Sequence, residues 1–125
     1  MNALVRSRAD VDKARIDGAT PIFISVGRGH VDVLNVLISS KADVDKAMHT
    51  GDTPSLAAAF QGHADVLGVL LNSRADMNKA RDDGSTPVFV AAYQGHADIL
   101  KLLVASRADV HKAGDDGATP IFATA

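Results

Sequence analysis

A period of 33 residues runs the length of the chain. Thr-Pro occurs at Thr20-Pro21, Thr53-Pro54, Thr86-Pro87 and Thr119-Pro120, each step being 33 residues. Gly-His occurs at Gly29-His30, Gly62-His63 and Gly95-His96, and Ala-Asp at Ala9-Asp10, Ala42-Asp43, Ala75-Asp76 and Ala108-Asp109, with the same step. Gly18, Gly51, Gly84 and Gly117 keep the register, as do Lys13, Lys46, Lys79 and Lys112. Chance does not place five markers in one frame. Self-similarity at this spacing means stacked units, each unable to bury its apolar side alone. The length, 125 residues, would otherwise suit one ordinary globular domain.

The unit can be read physically at residues 84–117. Gly84-Ser85-Thr86-Pro87 is a turn followed by a helix start, with Thr86 as N-cap oxygen and Pro87 at the first helical position, where a missing N–H costs nothing. A short apolar helix, Val88 to Ala92, ends at Gln94-Gly95. His96 opens a second helix with Asp98 in its first turn, where negative charge suits the helix dipole. Ile99, Leu100, Leu102, Leu103 and Val104 supply its buried face. Ser106-Arg107-Ala108-Asp109 closes the unit and leads through Val110–Ala113 to a Gly-Asp-Asp-Gly turn at 114–117. The unit is helix, tight turn, helix, then a projecting β-turn.

Composition agrees. Apolar residues make up 46% but aromatics only 4%, so alanine fills a core whose backbones must approach closely, which favours helices. All 15 acidic residues are Asp, a type that prefers caps and turns to helix interiors. The net charge of −2 removes the usual electrostatic argument for a nucleic-acid or membrane-surface protein. With no cysteine, there is no disulfide scaffold, thiolate metal site or cysteine nucleophile. No apolar run approaches the ~18 residues of a membrane span, and Arg6, Arg8 and Asp10 interrupt any leader-like pattern. The expected localisation is intracellular, in the cytoplasm.

The step of 33 residues with T-P-x-x-x-A, G-H and A-D-V in order resembles the ankyrin repeat family, over essentially the whole chain. The resemblance implies an all-α solenoid of helix-turn-helix units stacked side by side, with the turns projecting as fingers. Fingers and first helices would line a concave groove. It also implies protein–protein binding without catalysis or cofactor. Residues 17–49, 50–82 and 83–115 read as full repeats. Residues 1–16 match the second half of a unit and 116–125 the start of one, so residues 1–125 read as one domain cut from a longer array.

The pattern departs from the family in places. The His that the family usually carries two residues after the Pro is Phe23, Leu56, Phe89 and Phe122, so apolar packing should replace its polar bonds. Ser55 holds the core position of Ile22, Val88 and Ile121. The Gly that usually ends the second helix is Arg8, Lys41, Arg74 or Arg107, where a positive φ costs ~1 kcal/mol and a cation near the helix C-terminus returns ~0.3–1 kcal/mol. Gly68 lies inside a second helix, at a cost of about 1 kcal/mol against alanine. The second repeat, with Ser55 and Gly68, is expected to be the weakest. The two end segments have complementary phases, lacking only the seven phases of residues 27–33 between them, which favours head-to-tail self-association through uncapped ends.

The residue types capable of chemistry read as structure. His30, His63 and His96 stand one per unit, and residues stacked at the repeat spacing cannot converge to ~2 Å from one ion; a structural role at the turn opening the second helix is expected. Asp82-Asp83 and Asp115-Asp116 lack the spacing of a calcium loop and suit turn chemistry. The Lys13, Lys46, Lys79, Lys112 ladder runs beside Asp10, Asp12, Asp43, Asp45, Asp76 and Asp109, so it reads as compensated charge. No P-loop, GxGxxG, GxSxG or HExxH motif and no nucleophile–base set occurs. No catalytic residue, metal or cofactor is expected. The resemblance also makes Asn78 a candidate for hydroxylation, its equivalents being Asp12, Asp45 and His111.

Repeat arithmetic separates scaffold from surface. Positions that recur serve the fold, and exposed positions that vary are free to serve a partner. The varying sets are Arg15, Met48 and Arg81 at the finger base, and Ile16, His49, Asp82 and Asp115 at the tip. Near the end of the first helix they are Gly27, Phe60 and Tyr93, and beside these Arg28, Gln61 and Gln94. Aromatics, Met and Arg are enriched at interface centres, which singles out Phe60, Tyr93, Met48, Arg28 and Arg81. The expected function is a non-catalytic scaffold binding another protein on the concave face. The alternatives are a structural spacer within a long array and, behind it, an anionic-ligand or nucleic-acid binder using the lysines.

Overall fold

The computed structural model describes residues 11–106. These residues form six helices in three hairpins: α1 (Pro21–Gly27) and α2 (Val31–Ser39), α3 (Pro54–Gln61) and α4 (Ala64–Asn72), α5 (Pro87–Gln94) and α6 (Ala97–Ala105). The Thr-Pro beat sets every first helix. Thr20, Thr53 and Thr86 are extended N-caps whose hydroxyls accept from the amides of Phe23, Leu56 and Phe89 at 3.3, 3.2 and 3.3 Å. Each proline follows at the first helical position, where its fixed φ suits the helix. Gly62 and Gly95 end α3 and α5 in the left-handed conformation, both at φ 76°. α1 stops one residue earlier: Arg28 caps it at φ −96° and Gly29, at φ 72°, makes the left-handed turn.

His30, His63 and His96 cap the second helices without a side-chain bond to them, and Asp32, Asp65 and Asp98 follow in the first turn. The carboxylates of Asp65 and Asp98 accept from the next amide at 2.8 Å, satisfying free donors where the dipole favours anions. Lys41 and Arg74 follow α2 and α4 at φ 67° and 63°, taking the strain predicted for non-glycine residues there. Arg8 and Arg107 lie outside the described residues, as do residues 1–10 of the part-repeat at 1–16, the finger at 114–117, and the part-repeat at 116–125 with Ile121 and Phe122.

First helices pack on first helices, second on second, and each pair packs internally. Ile22, Val26, Leu34, Leu37, Leu56, Val66, Leu67, Leu70, Val88, Ile99 and Leu103 fill one continuous core, with Ala58, Ala59 and Ala91 where backbones approach. Leu56 and Phe89 are buried and Phe23 half-buried, so apolar contact does replace the usual polar bonds at this phase.

The second repeat carries the two defects expected of it. Ser55 is fully buried and its hydroxyl has no partner among the described residues. Elsewhere serine bonds back to a helical carbonyl, as Ser25 does to Ile22 at 2.9 Å. Ser55 is the second residue of α3, so three residues back lies Asp52, outside the helix, whose carbonyl already accepts from Met48. Gly68, in the middle of α4, has nothing within 4 Å of where a Cβ would sit.

Candidate functional site

The segments before α1, α3 and α5 are closed turns. The amides of Gly18, Gly51 and Gly84 donate to the carbonyls of Arg15, Met48 and Arg81 at 2.9, 2.9 and 2.8 Å. The amides of Arg15, Met48 and Arg81 donate to Ala19, Asp52 and Ser85 at 2.9, 2.8 and 3.0 Å. The left-handed glycine that each loop requires sits at φ 89°, 88° and 84°. Successive fingers are bonded edge to edge, His49 N–H to Asp17 O and Asp82 N–H to Thr50 O, both at 3.1 Å. The approach is close: a Cβ on Gly18 would lie 2.8 Å from His49, and one on Gly51 2.9 Å from the Arg81 backbone.

Two further ladders tie the repeats together. His63 Nε2 lies 3.3 Å from Gly27 O and His96 Nε2 2.9 Å from Phe60 O. A carbonyl only accepts, so the imidazole nitrogen donates. Each histidine therefore satisfies a free carbonyl at the end of the preceding repeat's first helix. Its ring occupies the space beside the preceding glycine, where a Cβ on Gly62 would lie 2.9 Å from His96. The expected role at the turn was correct in kind, but the reach into the neighbouring unit is new. In the second ladder Asp12 Oδ1 accepts from Asp43 N–H and Asp45 Oδ1 from Asp76 N–H, both at 2.9 Å. Lys79 Nζ donates to the Asp45 carbonyl at 3.1 Å. Burial pushes the Asp45 carboxyl above its ordinary pKa despite the amide of Asp76, which pulls it down. Asn78 takes the same phase, its own amide donating to Asp76 at 2.9 Å. At least one lysine of the ladder is thus engaged between repeats.

The fingers meet the first helices in an open pocket of about 260 Å³. Phe23, Leu56, Phe60 and Val90 are its apolar walls, Gly27 leaves its floor open, and Asp52 and Arg81 stand on the finger side. The open end follows from the sequence. Gly27, Phe60 and Tyr93 share a phase, and where the next two repeats place an aromatic ring the first places a hydrogen, with nothing within 4 Å of its missing Cβ. Phe60 and Tyr93 are 50% and 68% exposed, too much for core residues of their size. Tyr93 is nevertheless held, its ring stacked on buried Phe89 at 6.1 Å and 18°.

Arg81 lies between two carboxylates. Its Nε and one terminal nitrogen donate to Asp83 at 3.2 and 3.0 Å, and the other reaches Asp52 at 3.4 Å. The bonds from Arg81 to Asp83, followed by one from the Ser85 amide, hold the Asp83 carboxyl at about 2. Arg15 pairs with Asp17 at 2.7 Å and lowers its pKa, the Ala19 amide adding to the effect. Asp52 also accepts from the Thr50 hydroxyl at 2.7 Å.

The predicted site residues distribute as follows. Phe60, Gln61 and Arg81 come together at the pocket. Tyr93, Gln94 and Arg28 are exposed at the ends of α5 and α1. Ile16, His49 and Asp82 form the exposed row of tips, with Met48 half-buried at its finger's base. Asp115 lies outside the described residues. Repeat arithmetic missed Phe23, Leu56, Ala57, Val90 and Asp52 as pocket walls. Variation at Ile24/Ala57/Val90 and at Ala19/Asp52/Ser85 was the available signal.

Among the described residues, no group of three or more His, Cys, Asp or Glu side chains is placed to hold a metal ion. Among the same residues no helix is long and apolar enough to cross a membrane. The family model that matches is described as ankyrin repeats, in three copies, over residues 1–81 and 56–125, which together span the chain. A comparison with curated proteins returned no match.

Proposed function

The chain belongs to the ankyrin repeat family, and from that premise we propose that it is a non-catalytic scaffold whose groove between fingers and first helices takes a partner protein. Ankyrin repeats in general are protein–protein interaction modules. The observation that supports the groove as the face is the pair of exposed aromatics at one phase of the first helices, Phe60, which lines a pocket with apolar walls, and Tyr93 one repeat on. Exposed aromatics beside a concavity are the types that dominate binding energy. The scaffold beneath is bonded repeat to repeat by three separate ladders, so binding would order little backbone and keep most of its gross energy. In this reading the protein works inside the cell.

The test compares what the full chain retains from a lysate of its own source with what Phe60→Ala/Tyr93→Ala retains. A protein kept by the parent and by Asp32→Lys, on the outer helix α2, but lost by the double variant supports the groove. Retention unchanged by the double variant refutes it. The double variant should unfold within a few degrees of the parent; a large drop would place the rings in the core.

A further inference from the structure

The chemistry of the partner can be read from the groove's charge, on the premise of the binding reading above. The described fingers carry four carboxylates, Asp17, Asp52, Asp82 and Asp83, against two guanidiniums, Arg15 and Arg81. Both guanidiniums are already engaged: Arg15 with Asp17, and Arg81 with Asp83 and, more weakly, Asp52. An acidic guest would have to break these pairs to reach either finger guanidinium. Asp82 stands exposed on the tip next to Arg81. Its carboxylate forms no ion pair or side-chain hydrogen bond among the described residues. The surplus at the third finger is therefore negative, and it borders the apolar pocket through Arg81 and Asp52.

The row also has a direction. The tips run from Ile16, 97% exposed, through His49 to Asp82. The helix ends run in the same direction from Gly27 through Phe60 to Tyr93. The pocket lies over α3, with Gly27 on one side and Arg81 on the other. Packed helices stand about 8–10 Å apart, and an extended chain covers ~3.3 Å per residue. A guest whose side chain fills the pocket thus reaches the third finger within about three residues.

We propose that the groove recognises an extended protein segment bearing one large apolar side chain, seated between Phe23, Gly27 and Phe60, with a lysine or arginine within three residues that faces Asp82. The apolar side chain supplies the affinity, and the cation sets the direction in which the segment lies and excludes acidic segments.

A fully randomised linear peptide library is selected on the full-length chain, and the enriched peptides are measured by fluorescence anisotropy against variants. The expected motif is Leu, Ile, Met or Phe with Lys or Arg up to about three positions away. Gly27→Phe, which fills the pocket without meeting an atom at its Cβ, should weaken such peptides by about thirtyfold or more. Asp82→Lys should weaken them about threefold to tenfold, and less in high salt. Phe60→Ala gives a second view of the pocket, and thermal unfolding of each variant shows that it has folded. Enrichment of acidic or uncharged peptides overturns the proposal while leaving the groove as the binding face. So does a basic motif that binds Gly27→Phe as well as the parent. No enrichment at all, or enriched peptides insensitive to every groove substitution but lost on Asp32→Lys, overturns both this proposal and the groove reading.

Discussion

Replacing Ser55 by valine should stabilise the chain, although a polar-to-apolar change at a buried site is usually a gamble. The side chain is fully buried and its hydroxyl is unpaired. An unsatisfied buried donor costs about 1–3 kcal/mol, and removing it returns that. Each added buried CH₂ contributes a further ~0.8 kcal/mol. Overpacking opposes both, at about 1–3 kcal/mol. The neighbouring repeats decide which wins. Val88 and Ile22 hold the same phase, fully buried, one repeat on and one repeat back. The stacking geometry that admits them is shared, so the overpacking cost falls at the low end. Serine and valine differ little in helix propensity. The net is a gain of about 1–2 kcal/mol, or about 3–8 °C in melting temperature for a chain this size. Urea unfolding followed by far-ultraviolet circular dichroism measures it, and an unchanged slope shows that stability rather than cooperativity moved. A loss of 1 kcal/mol or more would refute the reasoning. It would mean that the hydroxyl is satisfied in solution, or that the second repeat is packed more tightly than its neighbours.

Gly68→Ala should add about 1 kcal/mol, since a Cβ there meets nothing within 4 Å; destabilisation in the same urea experiment would show that the glycine serves a bend in α4. Gly62→Ala and Gly95→Ala share a φ of 76°, yet only at Gly62 does the new Cβ approach a ring, His96 at 2.9 Å. Gly95→Ala should lose about 1–2 kcal/mol from backbone strain and Gly62→Ala at least 1 kcal/mol more; equal losses would show that the histidine moves aside freely. Asp83 has a folded pKa of about 2, below the ordinary carboxylate value of about 4. Its ion pair therefore stabilises the fold at and above pH ~4 and is lost as pH falls towards about 2. The pair is half exposed, so screening reduces the effect to under about 1 kcal/mol. Asp45 works the other way, because burial raises its folded pKa and its ionisation costs stability as pH rises through that value. Asp83→Asn should flatten the acid arm of the stability curve below pH ~4; a curve parallel to the parent's would show that Asp83 carries none of it.

Much of the fold was legible because the repeat encodes it in local chemistry. Thr-Pro fixes each first helix by a cap and a preset φ, and both act within four residues of chain. Ser55 and Gly68 were readable as defects because their neighbours at the same phase supply the reference. What the sequence concealed lies between repeats. His63 and His96 look like local turn residues until their nitrogens are placed on carbonyls of the preceding unit. The Asp12 and Asp45 carboxylates look like solvated surface until they accept amides 31 residues on. Such bonds depend on how one unit sits on the next. A period fixes the spacing of equivalent positions but not the contacts across it. The pocket was hidden for the same reason, since its walls come from three helices and two fingers.

The ladders also explain why the proposed binding surface can vary while the fold does not. The bonds between repeats are made by finger backbone, by histidine to main-chain carbonyl, and by aspartate to main-chain amide. In each of these three ladders at least one partner is backbone, which any residue supplies. Positions such as Gly27, Phe60 and Tyr93 are then free to change size, because they leave the links intact. Phe60 shows the separation within one residue: its carbonyl is held by His96 at 2.9 Å while its ring stays half exposed. The main chain of that residue serves the stack and its side chain faces the groove. Substituting the ring therefore changes what the groove can hold without loosening the joint between the second and third repeats.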